Sequence, residues 1–100
     1  MRGAGTLVEC RVKIVNRLGL HARAAAKLVR AAGAFAATLR LVRADRGGAA
    51  DAKSILSVLM LAASRGTELR VTCEGADEGR ALENVCALIE GGFEEGVETS

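Results

Sequence analysis

The spacing of apolar residues along this chain changes from segment to segment, from the two-residue repeat of a strand to the longer repeat of a helix and back. From position 8 to position 14 every second residue is apolar and the others are charged, which predicts a half-buried strand. Residues 22–32 are rich in alanine, with apolar residues at helical spacing, and they predict a helix. Its predicted inward face is Ala25, Leu28, Val29 and Ala32, and Gly33 is the predicted helix end.

The alternation continues through the rest of the chain and predicts a single domain over residues 7–93. Further strands are predicted at 38–43, at 48–51 and through Leu69, Val71 and Cys73. Further helices are predicted at 55–61 and from 75–78 to Gly91. The core-facing residues predicted for the last helix are Leu82, Val85, Cys86 and Ile89. Two β-α-β units joined by a hairpin predict an α+β fold, a small antiparallel sheet with helices on one face. This order alone leaves other ferredoxin-like arrangements open. We expect residues 1–6 to be flexible and residues 94–100 to form an acidic tail.

Composition excludes several classes of protein. Half of the residues are apolar but only two are aromatic, so the core must consist of Leu, Val, Ile and Ala. The lack of Trp and Tyr argues against a nucleic-acid stacking surface. No apolar run approaches the ~20 residues of a membrane-spanning helix, and Met1–Thr6 lacks the apolar core of a signal peptide. We therefore expect a cytoplasmic monomer with no nucleic-acid or membrane partner.

The three cysteines are odd in number and widely separated, and none belongs to a Cys-x-x-Cys pair. One histidine cannot complete a zinc site of the usual spacing, so we expect no metal. Cys10, Cys73 and Cys86 all occupy predicted core positions, where we expect reduced, buried thiols. Cys10 and Cys73 lie on strands that can be neighbours, so a disulfide between them on oxidation is conceivable.

His21 is the only histidine, and it lies between Gly19 and the predicted helix that begins near residue 22. A helix N-terminus has unpaired N–H groups and the positive end of the helix dipole, and it binds anions. The position predicts a nucleophilic imidazole beside a phosphate site formed by Ala22, Arg23 and Ala24. Taken alone, a single histidine is more often a surface residue or a helix cap.

Two separated motifs resemble the HPr family, the small histidine-containing phosphocarriers of the phosphoenolpyruvate-dependent sugar phosphotransferase system. Residues 18–23, Leu-Gly-Leu-His-Ala-Arg, resemble the active-site signature, and residues 52–56, Ala-Lys-Ser-Ile-Leu, resemble the segment around a regulatory serine. Residues 66–69 and 74–78 match the last strand and the following turn, so the resemblance covers about residues 7–93. The chain departs from the family at Ala24, where proline is usual. Alanine and proline are both compatible with the first turn of a helix, so we expect this substitution to leave the function of the family intact.

This resemblance implies an open-faced β-sandwich, with a four-stranded antiparallel sheet and three helices on one side. It implies that phosphorylated enzyme I transfers a phosphoryl group to Nδ1 of His21, assisted by Arg23, and that a IIA domain of a sugar permease or regulatory system receives it. Such a protein is a carrier with a phosphohistidine intermediate, not a turnover enzyme, and it needs no cofactor. The resemblance also implies phosphorylation of Ser54 by HPr kinase/phosphorylase, although Ser54 is in any case a good helix N-cap.

Two surfaces are predicted to dock partner proteins. Arg23, Lys27 and Arg30 share one helix face, which predicts a stripe for acidic partners, although a solvated helix surface gives the same pattern. The helix at 55–61 is apolar almost all round, so we expect an exposed patch that includes Ile55, Leu56 and Leu59. Complete burial of that helix is the alternative.

Two other functions stay open at this point: a nitrogen-type regulatory paralogue with the same chemistry, and an interaction module that transfers no phosphoryl group. A carrier must not hydrolyse its own phosphohistidine. No Asp or Glu occurs between Glu9 and Asp45, so no sequence neighbour of His21 could activate water as a base. A residue distant in sequence could still fold close to the imidazole.

Overall fold

The computed structural model describes residues 7–95. The elements are β1 Val8–Lys13, α1 Ala22–Gly33, β2 Thr38–Arg43, β3 Ala49–Asp51, α2 Ile55–Leu61, β4 Glu68–Glu74, α3 Glu78–Glu90 and a short 3-10 turn at Gly92–Glu94. The predicted β-α-β-β-α-β-α order is thus observed. The predicted flexible segment 1–6 and residues 96–100 of the predicted tail lie outside the described residues.

The four strands form one antiparallel sheet in the order β1-β4-β2-β3. β4 is central, and its Val71 lies opposite Cys10 of β1 on one side and Leu41 of β2 on the other. Because side chains alternate across a strand, Leu39, Leu41, Leu69 and Val71 all reach the helix side and are fully buried there. The predicted α+β architecture, with helices on one face of the sheet, is confirmed.

The helices differ from the predictions in detail. The buried residues of α1 are Ala24, Ala25, Leu28 and Ala32, whereas Val29 is only partly buried. Gly33 belongs to α1, and Ala34 is the residue that caps it. In α3, Ala81 is buried and Leu82 is only partly buried. Within residues 7–95, no helix has both the length and the apolar character needed to cross a bilayer.

The cysteine prediction is wrong for two of the three residues. Cys10 of β1 and Cys86 of α3 form a disulfide across 76 positions of sequence, because α3 packs directly against β1. Cys73 lies opposite Val8, not opposite Cys10, and it is a free, buried thiol as predicted. Burial, together with the nearby charges of Glu78 and Asp77, raises the pKa of Cys73 to about 11.

Arg43, at the end of β2, connects the β2–β3 turn to the end of α2. Its guanidinium donates two hydrogen bonds to the carboxylate of Asp45, at 2.9 and 2.7 Å. Another nitrogen donates to the carbonyl oxygens of Leu61 and Ala62, both at 3.1 Å. These carbonyls lie at the C-terminus of α2, where helical partners run out. Arg43 thereby holds α2 against the sheet.

Candidate functional site

His21 is the N-cap residue of α1, as the sequence predicted. Its backbone is extended, with φ −79° and ψ −179°, and its Nδ1 accepts a hydrogen bond from the backbone N–H of Arg23 at 3.3 Å. The first intrahelical bond runs from the N–H of Ala25 to the carbonyl oxygen of His21 at 2.8 Å. The imidazole therefore stands at the end of α1 that carries the unpaired N–H groups.

The loop before His21 is fixed against the segment that follows α2. Gly19 has a φ of +67°, a conformation that favours glycine. The N–H of Leu20 donates to the carbonyl oxygen of Ala63 at 2.9 Å, and the Leu20 side chain is buried. This loop geometry sets the direction in which the imidazole leaves the backbone.

A carboxylate occupies the other side of the imidazole ring. Oε2 of Glu95 lies 2.6 Å from Nε2 of His21, and the exposed fractions of the two side chains are 19% and 26%. An ionised carboxylate can only accept hydrogen bonds, so this contact places the ring hydrogen on Nε2. The lone pair is then on Nδ1, in agreement with the N–H that Arg23 donates to that atom.

Sequence reasoning missed Glu95. It lies 74 positions from His21, within the segment predicted to be an acidic tail. The sequence left open the possibility that an acidic residue distant in sequence folds close to the imidazole, and Glu95 is such a residue. No pattern in the sequence distinguishes Glu95 from its neighbour Glu94, because the contact depends on the path of the chain after α3.

The Gly92–Glu94 turn brings Glu95 to the imidazole. Three consecutive residues in it have positive φ, namely Gly92 at 72°, Phe93 at 59° and Glu94 at 61°. The Phe93 side chain is fully buried in the core. The Lys27 ammonium donates a hydrogen bond to the Phe93 carbonyl oxygen at 2.7 Å, so α1 itself holds the turn in place.

Asn16 connects this turn to the loop before His21. Its side-chain Nδ2 donates to the Gly19 carbonyl oxygen at 2.8 Å and to Oε1 of Glu95 at 3.3 Å. Burial raises the pKa of Glu95, but hydrogen bonds from His21 and Asn16, together with the nearby charge of Lys27, more than offset this effect. The net effect lowers the pKa of Glu95, and the carboxylate is ionised at neutral pH.

The predicted phosphate-site residues lie together at the start of α1. Ala22 and Arg23 are exposed, whereas Ala24 is completely buried. Ala24, unlike a proline, brings a backbone N–H to this first turn. Exposed N–H groups, the positive end of the helix and the Arg23 side chain suit this surface to bind an anion next to Nδ1.

Ser54 is the N-cap residue of α2, as predicted, and its Oγ accepts the backbone N–H of Ser57 at 3.2 Å. The exposed fractions of Ile55, Leu56 and Met60 on α2 are 44%, 65% and 75%. Leu59, predicted for the docking patch, packs partly buried against the core instead, and Met60 takes the exposed position that the sequence analysis overlooked. The exposed patch on α2 is therefore Ile55, Leu56 and Met60.

The predicted basic stripe on α1 is divided. Arg23 and Arg30 are exposed, while Lys27 is partly buried and its ammonium is engaged with the Phe93 carbonyl. α1 packs directly against α2, so the two predicted docking surfaces lie on neighbouring helices.

Comparison with known proteins gives a consistent result. The model of the family described as PTS HPr component phosphorylation site matches residues 8–91. The phosphocarrier protein HPr of Pseudomonas aeruginosa is 46% identical over 85 residues, which are 85% of this chain and 93% of that protein. The phosphocarrier protein NPr of Proteus mirabilis is 41% identical over 85 residues, with the same shares of the two chains.

A solved structure agrees with these sequence matches. The crystal structure of HPr-C-His from Thermoanaerobacter tengcongensis superposes with a TM-score of 0.82 at 33% identity, covering 90% of this chain and 99% of the other. The family match spans β1 through α3 and includes both His21 and the helix α1 that follows it. This chain therefore belongs to the HPr family of phosphocarrier proteins of the phosphotransferase system.

Proposed function

We propose that the chain accepts a phosphoryl group on Nδ1 of His21 from phosphorylated enzyme I and passes it to a IIA domain in the cytoplasm. The contact between Nε2 of His21 and Glu95, at 2.6 Å, is the observation that supports this most strongly. It commits Nε2 to carrying the hydrogen and leaves the lone pair on Nδ1, the nitrogen that faces the start of α1.

In the proposed step the Nδ1 lone pair forms a bond to phosphorus while the bond from phosphorus to the donor breaks. Nε2 keeps its hydrogen, and the ring gains positive charge. The 3.3 Å contact from the Arg23 N–H to Nδ1 is long for a hydrogen bond. It is easily given up, and that N–H can then hold a phosphoryl oxygen. Arg23 and the first turn of α1 supply the positioning and charge that phosphoryl transfer needs.

The test is intact mass after incubation with phosphoenolpyruvate, magnesium and a cognate enzyme I. The wild type should gain one acid-labile phosphoryl group, and His21→Ala should gain none. Arg23→Ala should gain it more slowly, while Arg40→Ala, an exposed arginine on β2, should match the wild type. No gain by the wild type would favour an interaction module that transfers nothing.

The nitrogen-type system is the second candidate, because relatives named NPr are also about two-fifths identical to this chain, at 41% and 40%. The two systems use the same chemistry at His21, so the site does not separate them. Competition between a sugar-type and a nitrogen-type enzyme I for phosphorylation of the chain distinguishes the two systems. Faster phosphorylation by the sugar-type enzyme would support the first proposal, and the reverse preference would support the second.

We also propose that phosphorylation of Ser54, by a kinase such as HPr kinase/phosphorylase, reduces docking through the exposed patch of Ile55, Leu56 and Met60. A phosphate at this helix start would place about two negative charges next to the patch. Ser54→Asp should bind enzyme I more weakly than the wild type. Asn84→Asp, which adds a charge at an exposed position of α3, is the control. Equal binding by the Ser54→Asp variant and the wild type would overturn the regulatory proposal.

A further inference from the structure

We propose that Glu95 is a positioning residue for His21. Its carboxylate holds the hydrogen on Nε2 and neutralises the charge that the ring gains on phosphorylation. Lys27 and the Gly92–Glu94 turn place Glu95 beside the ring. This deepens the proposed function and rests on it. It also gives Lys27 a role in the site itself, in place of the partner docking that the sequence predicts.

The contact has the geometry of a charge-assisted hydrogen bond. The Nε2 to Oε2 distance is 2.6 Å, at the short end for such bonds. Both side chains are more than two-thirds shielded from solvent, which limits competition from water. A carboxylate behind an imidazole is a general way to fix the tautomer and to stabilise a cationic ring.

The turn is held in an unfavourable backbone conformation. Phe93 and Glu94 both have positive φ, which costs roughly 1 kcal/mol or more for each residue that is not glycine. Such conformations persist only where the surroundings enforce them. Here the buried Phe93 ring and the hydrogen bond from Lys27 to the Phe93 carbonyl do so.

The local charges support the assignment. Of the described residues, Glu95 faces the imidazole from the turn, and Arg23 and Lys27 carry positive charge on α1. The Lys27 charge and the hydrogen bonds from His21 and Asn16 keep Glu95 ionised against the opposing effect of burial. The carboxylate is therefore the nearest negative charge to a ring that becomes positive when Nδ1 bonds to phosphorus.

The first test measures the tautomer in the unphosphorylated protein, at a pH where the ring is neutral. Imidazole ¹⁵N shifts should show hydrogen on Nε2 in the wild type and a mixture of both tautomers in Glu95→Ala. Glu90→Gln is the matched control, since it removes the same charge from an exposed residue at the end of α3 and should leave the shifts unchanged. Wild-type shifts in Glu95→Ala would overturn the proposal.

The second test measures phosphoryl transfer. Glu95→Gln retains an oxygen that can accept from Nε2 but removes the charge. The equilibrium with phosphorylated enzyme I should then move towards enzyme I by about fivefold, since hydrogen bonds to charged groups are stronger than neutral ones. Glu90→Gln should leave the equilibrium unchanged, and Glu95→Asp, which keeps the charge, should shift it less than Glu95→Gln. An equal shift in Glu90→Gln would contradict a specific contact.

The role of Lys27 is tested by combining variants. Lys27→Met should perturb the tautomer as Glu95→Ala does, and the double variant should be no worse than Glu95→Ala alone, because both act on one contact. Fully additive effects would show that Lys27 does not act through Glu95. The ¹⁵N measurement needs no enzyme I. A wild type with the expected tautomer but no phosphoryl uptake would therefore refute the proposed function and leave the contact standing.

Discussion

Gly19 packs so closely on Ala63 that a Cβ added to the glycine would lie 2.6 Å from the Ala63 carbonyl oxygen. The same Cβ would lie 2.8 Å from the Cα of Ser64. Both obstructing atoms are backbone atoms, which cannot rotate away as a side chain does. The loop that aims His21 and the segment after α2 are therefore in contact at a point where only glycine fits.

Gly19→Ala should lower the free energy of unfolding by roughly 1–3 kcal/mol, from strain at positive φ plus the backbone clash. It should also slow phosphorylation, because the loop must shift next to His21. Chemical denaturation and the enzyme I assay measure the two effects. The control is Gly33→Ala, at a helical position where an added Cβ meets nothing within 4 Å. That variant should be stabilised by up to ~1 kcal/mol.

The Arg43–Asp45 pair predicts a pH effect on stability. Chiefly because the Arg43 guanidinium hydrogen-bonds to it, the pKa of Asp45 falls from the usual 3.8 to about 2. A lowered folded pKa stabilises the fold at pH values above the unfolded value, and this contribution disappears as the pH falls through the folded value. The stability difference between the wild type and Asp45→Asn should therefore shrink between pH 3.8 and about 2. Urea denaturation of the two proteins at a series of pH values measures this difference.

Ser54→Ala should destabilise the protein by about 1 kcal/mol, since the N–H of Ser57 loses its capping oxygen. Ser54→Asp should retain most of the stability, because aspartate also caps helices well. Urea midpoints of the three proteins decide the matter. If both variants lose the same stability, the hydroxyl has a role other than capping.

The exposed patch on α2 should contribute to binding and little to folding. Leu56→Gln and Met60→Gln remove side chains that are 65% and 75% exposed, so each should change stability by less than ~0.5 kcal/mol. Both should weaken binding of enzyme I, which titration calorimetry can measure. Val58→Ala, at a fully buried position of the same helix, should show the opposite pattern, with lower stability and near-normal binding once folded.

The Cys10–Cys86 disulfide should stabilise the fold. A bond that closes so long a loop is expected to contribute about 2–4 kcal/mol, which reduction removes. Alkylation of the denatured, unreduced protein should modify Cys73 alone, and alkylation after reduction should modify all three cysteines. Modification of all three without a reductant would show that the bond does not form.

Local pattern predicted most of the fold and part of the site. β2 and α2 begin and end at the predicted residues, because apolar spacing and the Ser54 cap are local properties of the sequence. The position of His21 at the start of α1 follows from the glycine before it and the alanines after it. These interactions span only a few residues, so the sequence displays them directly.

Two features depend on tertiary packing and could not be predicted. Glu95 reaches His21 only because the chain reverses after α3 with three residues at positive φ, two of which are not glycine. Cys86 pairs with Cys10 because α3 lies over β1, a choice that the strand pattern does not reveal. The open-faced arrangement of the sheet came from the family resemblance, since periodicity alone allowed other orders.

The central position of β4 in the sheet determines how much of the chain must be synthesised before the protein can fold. Both β1 and β2 pair with β4 and not with each other, so the sheet cannot close until Glu74 has left the ribosome. His21 emerges far earlier, when β1 still has an unpaired edge that is prone to aggregation. Folding must wait for contacts between distant parts of the chain, which slows it. A nascent chain therefore exposes His21 long before the fold that positions its imidazole is complete.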